Sequence, residues 1–201
     1  MSRYSFYIDG LNVYHSLNNA RFKKYKWLNY RKLAERFLGP GDTLVDIFCF
    51  TTYARWKPAS FARHRAFIKA LRSVGVRDMQ GRFMRHKERC HVCGSRYTAR
   101  EEKQTDVNIA VHLLSDAMND EFDRAVIISG DTDLIPAIEA VHRDAPDKEI
   151  GVMFPLRRFH DTLKKTADFS VTMKERMLDE CQFPGEVKVG GTIIERPESW
   201  Q

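Results

Sequence analysis

The run Ala125-Val126-Ile127-Ile128 is apolar at every position and stops at Ser129-Gly130-Asp131. A strand with one wet face alternates apolar and polar residues, whereas a short unbroken apolar run reads as a strand covered on both faces. Such a strand needs helices on both sides of its sheet. The rest of the chain supplies them. Ser5–Ile8 reads as a strand closed by Asp9-Gly10, with a helix starting over Leu11–Leu17. Asn29 caps a helix running to Leu38, and Gly39-Pro40-Gly41 ends it. Thr43–Tyr53 is rich in β-branched and aromatic residues, as a second strand should be.

Pro58–Val74 follows as an amphipathic helix with a basic face, and a third strand is expected around Val76–Met84. Gln104–Met118 has helical spacing, with Val107, Ala110, Val111 and Leu114 on one face and Asp106 and Asn108 in its first turns, where the helix dipole favours negative charge. Beyond the apolar run, Asp133–Val141 reads as helix, Glu149–Phe154 as strand, Arg157–Lys164 as a short helix and Phe169–Thr172 as a last strand. The alternation predicts an α/β fold, a three-layer sandwich around a mainly parallel sheet.

A chain of 201 residues is one ordinary domain, large enough to build its core without disulfides. We expect a domain over residues 1–182, carrying a small Cys-containing insertion at about 85–98, and a partly ordered tail over 183–201 where Gly190-Gly191 and Pro197 interrupt the pattern. Thirty-three Lys and Arg against 27 Asp and Glu give a net charge of +6, which suits a polyanionic partner. No apolar stretch approaches membrane-spanning length and Met1-Ser2-Arg3-Tyr4 leads straight into a strand, so the expectation is a cytoplasmic protein without membrane association.

Within this basic chain, three apolar segments end in acids: Ile8-Asp9-Gly10-Leu11-Asn12, Thr105-Asp106-Val107 and Ser129-Gly130-Asp131-Thr132-Asp133. The first and third stand where a parallel strand hands over to a helix, the edge at which open α/β sheets bind ligands. Crowded carboxylates repel one another, and a hard cation among them removes the conflict. Each aspartate alone can be a cap or a turn residue. Four converging from distant segments are better explained by a metal site.

Asp9-Gly10-Leu11-Asn12, Glu102-Lys103-Gln104-Thr105-Asp106-Val107 and Ser129-Gly130-Asp131-Thr132-Asp133-Leu134 together resemble the NYN domain family, a branch of the PIN-like nuclease superfamily, and within it the LabA-like bacterial members. The resemblance extends from about residue 4 to residue 173. It implies a PIN-like fold and a Mg²⁺- or Mn²⁺-dependent ribonuclease whose acidic metal site is Asp9, Asp106, Asp131 and Asp133. In this reading Asp9 and Asp131 touch metal directly, Asp106 and Asp133 hold the metal or its waters, and Asn12 orients Asp9 or meets the substrate phosphate. The reaction expected is hydrolysis of a phosphodiester, most simply endonucleolytic, by metal-activated water. A non-catalytic RNA-binding module on the same fold is the rival. A haloacid-dehalogenase-type phosphatase fits poorly, since that chemistry needs an acid two residues after the nucleophilic Asp and Asp9 is followed by Gly10-Leu11.

Candidate phosphate and RNA contacts are Lys103, Gln104, Ser129 and Thr132 near the acids, and Arg82, Arg85, Lys87 and Arg89, with Arg96, Phe83 and Tyr97 offering further charge and stacking surfaces. For Ser129 and Thr132, capping of the following helix is an equal alternative. RNA is the expected partner, and DNA remains open. Cys90-His91-Val92-Cys93 has the spacing of a zinc half-site but supplies only two of four ligands, so structural Zn²⁺, a reduced dithiol and a disulfide are all open. Homodimerisation through this loop or the tail is likewise open. Cys49 reads as a buried small hydrophobe, and His15, His64, His112, His142 and His160 as packing or surface residues.

Overall fold

In the computed structural model, which describes residues 1–201, six parallel strands form the central sheet. They are β1 (Arg3–Asp9), β2 (Thr43–Thr51), β3 (Arg77–Gln80), β6 (Arg124–Ile128), β7 (Glu149–Phe154) and β8 (Phe169–Thr172), in the order β3-β2-β1-β6-β7-β8. The chain builds outward from β1 through β2 to β3, then crosses back to β6 and builds the other half. β1 and β6 are therefore neighbours at the point where strand order reverses, with Tyr7 opposite Ile127 and Ile8 opposite Ile128. A crevice at the carboxyl end of such a pair is the natural ligand position.

The period of two sorts side chains between two cores. Phe6, Ile8, Ile47 and Cys49 face one layer, which contains α1 (Gly10–Ser16), α2 (Tyr30–Phe37) and α3 (Pro58–Ser73). Tyr7, Phe48, Phe50 and Ile127 face the other, formed by α4 (Thr105–Met118), α5 (Ile135–Asp144) and α6 (Asp161–Thr166). The helix starts follow the expected chemistry. Asn29 caps α2 by accepting from the Lys32 N–H at 3.1 Å, and Pro58 opens α3, where its missing N–H costs nothing.

Four expectations need correcting. The strand expected over Val76–Met84 breaks at Gly81: β3 stays in the sheet, and Arg82–Arg89 leaves it as β4, pairing antiparallel with β5 (Arg96–Lys103). The insertion is thus a complete two-stranded ribbon, longer at both ends than residues 85–98. Of the α4 stripe Val107-Ala110-Val111-Leu114, Ala110 and Leu114 pack against the core from half-buried positions, while Val107 and Val111 are 64% and 60% exposed and Thr105, Ile109, Leu113 and Ala117 make the buried face. The short helix begins at Asp161 rather than Arg157.

Finally, residues 183–201 are folded. After α7 (Glu175–Glu180) they form a hairpin of β9 (Glu186–Val189) and β10 (Thr192–Glu195) and end with Trp200 in the core. Trp27 organises this region: its ring meets Phe67, Phe183 and Trp200 at 5.6–6.3 Å, and its Nε1–H donates to the Pro184 carbonyl at 2.8 Å. Glycines and a proline marked turns in this segment, but its apolar anchors are spaced too widely to show a period. No helix in the protein is long and apolar enough to cross a membrane.

Candidate metal centre and nucleic-acid interface

Asp9 closes β1 and caps α1. Its Oδ1 accepts from the Asn12 N–H at 2.9 Å, and its Oδ2 accepts from the Ser129 hydroxyl at 3.0 Å. Ser129, at the end of β6 and fully buried, also accepts from the Asp131 N–H at 3.1 Å. Asp131 in turn accepts from the Asp133 N–H at 3.0 Å, capping the single 3₁₀ turn Thr132–Leu134 before α5. Asn12 Oδ1 accepts from the Gly130 N–H at 3.3 Å. Hydrogen bonds across the β1–β6 switch point therefore tie the first and third acidic motifs into one unit. Gly130 belongs to the design, because a Cβ there would stand 2.0 Å from the Arg158 carbonyl oxygen.

The second motif arrives from the ribbon. Gln104, at φ +83°, turns the chain from β5 into α4. Asp106 then sits in the first turn of α4. Its carboxyl is pushed up to about 6 by burial and by the charges of Asp131, Glu102 and Asp133. The Asp9 carboxyl is pushed up to about 7, chiefly by burial, with Asp106 and Asp131 adding to it against the hydrogen bonds from Asn12 and Ser129. Asp106 and Asp131 thus act on Asp9, and Asp131, Asp133 and Glu102 on Asp106.

Glu102 is a fifth carboxylate that sequence reasoning quoted but did not assign. It accepts from the Thr105 N–H and the Thr52 hydroxyl, both at 3.2 Å, and from the Thr105 hydroxyl. Its position at the end of β5, four residues before Asp106, was the available signal. None of these five carboxylates forms an ion pair with Lys, Arg or His. Unpaired acids, with the Asp9 and Asp106 carboxyls pushed up, suit a hard divalent cation, so the donor chemistry fits. The side chains as they stand do not close around an ion: no three His, Cys, Asp or Glu groups come together as a ligand set.

A scan against family models matches the NYN domain over residues 3–173. The chain belongs to the NYN family. This places it in the PIN-like nuclease superfamily, in agreement with the parallel sheet and flanking helices. The NYN chain is 27% identical over 234 residues to 6-hydroxy-3-succinoylpyridine 3-monooxygenase HspA of Pseudomonas putida, a match covering 96% of this chain and 74% of that protein. Among solved structures it resembles a protein of unknown function, VPA0982, from Vibrio parahaemolyticus. The TM-score is 0.62 at 21% identity, covering 87% of this chain and 94% of the other, a likeness of fold.

The remaining candidates of the NYN domain divide. The Ser129 hydroxyl donates to Asp9 and accepts from the Asp131 N–H, so it positions the acids. Thr132 is half-buried at the start of the 3₁₀ turn. Gln104 is exposed, and the exposed Lys103 ammonium pairs with Glu101 at 2.7 Å.

On the ribbon, Arg85, Lys87 and Arg89 share a face with Phe83, while Arg82 points to the other. Arg85 stands directly opposite Arg100, and Arg89 opposite Arg96. Phe83 packs edge-on against Trp56 at 4.6 Å, and the Arg100 guanidinium lies 4.7 Å from the Trp56 ring centre. The ribbon tip carries Cys90, half-buried, and Cys93, exposed, both free thiols, with the Gly94 N–H closing the turn on the Cys90 carbonyl at 2.9 Å. His86 pairs with Glu88 instead of turning toward them.

Proposed function

We propose that this NYN domain is a metal-dependent ribonuclease, and an endonuclease, cutting a phosphodiester at the β1–β6 switch point. The observation that carries this reading is the set of unpaired acids there, with Asp9 and Asp106 both held far above the usual carboxylate range. Asp9, Asp106, Asp131 and Asp133 would hold Mg²⁺ or Mn²⁺, with Glu102 beside them. The bound cation supplies a water of lowered pKa and a counter-charge for the phosphate. Ser129 and Asn12 hold Asp9 and the Gly130 backbone in register, so that the two strand ends present their acids together.

Substrate would lie along the ribbon. Two arginine pairs facing each other across strands repel, and a phosphate backbone laid over them relieves that repulsion. Phe83 and Trp56 add aromatic edges on which unpaired bases can stack. The Pseudomonas relative is named for oxygenation of a pyridine, and at 27% identity that reaction is not carried over to this chain.

The test is cleavage of labelled single-stranded RNA and DNA with Mn²⁺, Mg²⁺ or EDTA, beside Asp131→Asn. Metal-dependent cutting of RNA that the variant lacks is expected. Retained RNA binding without cutting in any metal would move the domain to the non-catalytic, RNA-binding reading.

A further inference from the structure

A cavity of about 380 Å³ lies on the α1/α3 side of the sheet, opposite in character to the acidic edge. Gly10, the residue after Asp9, is part of its wall, as are Thr51 and Thr52 at the end of β2. None of its 23 lining residues is an aspartate or glutamate, while Lys26, Lys57 and Arg100 all line it. Its volume is that of a small-molecule pocket, and its walls are mainly hydrophobic and aromatic, Tyr14, Trp56 and Phe83 among them.

Lys26 is the informative residue. It is only 7% exposed and forms no ion pair. Its ammonium donates to Asn18 Oδ1 at 2.7 Å and stands 3.9 Å from the Tyr14 ring centre. Burial, with Arg63 nearby, pushes its pKa down to about 8, so most of it is still charged at neutral pH. A cation removed from water without a counter-ion is costly, and a bound anion is the partner that would offset the cost. The facing aromatic surfaces select what carries that anion, since flat π-systems pack against Tyr14, Trp56 and Phe83 with little loss of flexibility.

We infer that this cavity binds a planar aromatic ring bearing an acidic group, the ring against the aromatic walls and the anion on Lys26. Two sources offer that chemistry: a nucleotide unit of a nucleic acid strand, or a free aromatic acid. The cavity shares Trp56, Phe83 and Arg100 with the substrate path proposed along the ribbon, but neither the acidic cluster nor a metal takes part in it.

Calorimetric titration of the full chain in EDTA at pH 7 tests it, using uridine 5′-monophosphate and nicotinate as probes and uridine and nicotinamide as their uncharged counterparts. At least one charged probe should bind tenfold or more tightly than its counterpart, and Lys26→Met should erase that ratio. Preference confined to the nucleotide assigns the site to nucleic acid, and preference confined to nicotinate assigns it to a free acid. Should Lys26→Met fail to fold, Trp56→Ala and Arg100→Gln, at half-buried and exposed wall positions, must each weaken the charged probe about tenfold. Absence of binding by both charged probes, equal binding of the neutral ones, or affinity unchanged in these variants would overturn the inference. Because no cleavage is read, failure here leaves the nuclease proposal standing, and the reverse also holds.

Discussion

The two sides of the sheet at the end of β1 are electrostatic opposites. On the α4/α5 side, Asp9 and Asp106 are pushed up by burial and by neighbouring acids, and neither they nor Asp131, Asp133 or Glu102 pair with a basic side chain. On the α1/α3 side, the chain turns from Asp9 into Gly10 and immediately lines a cavity that contains cations and no acid. The two regions adjoin: Thr52 lines the cavity while its hydroxyl donates to Glu102 at 3.2 Å. Each region holds charge in a form that folding alone does not favour: acids pushed up on one side, a lysine and a histidine pushed down on the other. Uncompensated charge of opposite sign on the two faces points to two different ligand groups, a cation on one and an anion on the other.

The sharpest way to break this comparison is Asp9→Asn. Loss of the acid that joins β1 to the switch point should reduce RNA cleavage on the order of 10²–10³-fold, a typical penalty for removing one preorganised electrostatic group. The same change should stabilise the metal-free protein at high pH. In the fold Asp9 titrates near 7 against an ordinary 3.8, so the folded state holds a proton that the unfolded chain has lost. Stability is therefore fully present below pH 3.8 and is lost as pH rises through 7, by on the order of 4 kcal/mol. Thermal melts in EDTA should show Asp9→Asn more stable than the parent at pH 8 and nearly equal to it at pH 4. Equal melting at pH 8 would mean that Asp9 is not held in a repulsive, desolvated site.

The cavity side should respond to pH with the opposite sign. His64 is half-buried, shares a hydrogen bond with the Thr51 hydroxyl at 3.1 Å, and has its pKa pushed down to about 4, chiefly by desolvation. Between pH 6.5 and 4 the unfolded chain takes up a proton that the folded state refuses, so stability is lost as pH falls through that window, by about 3 kcal/mol at most. His64→Gln should flatten the acid limb of the stability curve while leaving the alkaline limb to Asp9. An acid limb unchanged in this variant would remove His64 from the account.

The difference between the two regions also explains what could be read from the chain. The acids were legible because each sits beside a local signal: Asp9 and Asp131 follow apolar strands, and Asp106 opens a helix. The sheet was legible for the same reason. The cavity was not, because its walls come from α1, the segment around Lys26, the end of β2, α3, the ribbon and Trp200, none with a motif of its own. Ser129 shows a finer limit. Its residue type suits either a phosphate contact or a cap, and the hydrogen bond to Asp9, 120 residues away, is a third role that the local sequence does not show.

α4 gives the smallest effect and a direct check on the layer that carries Asp106. Two apolar stripes run along this helix, and periodicity alone does not say which faces the sheet. The structure buries Ile109, Leu113 and Ala117 and leaves Val107 and Val111 in solvent. Val111→Lys should therefore change stability by no more than about 0.5 kcal/mol, as expected for a surface position away from caps and networks. If Val111 faced the core instead, the same change would bury an unpaired ammonium and unfold the protein. A urea titration of this single variant separates the two orientations, and with them the direction in which the first turn of α4 presents Asp106 to the switch point.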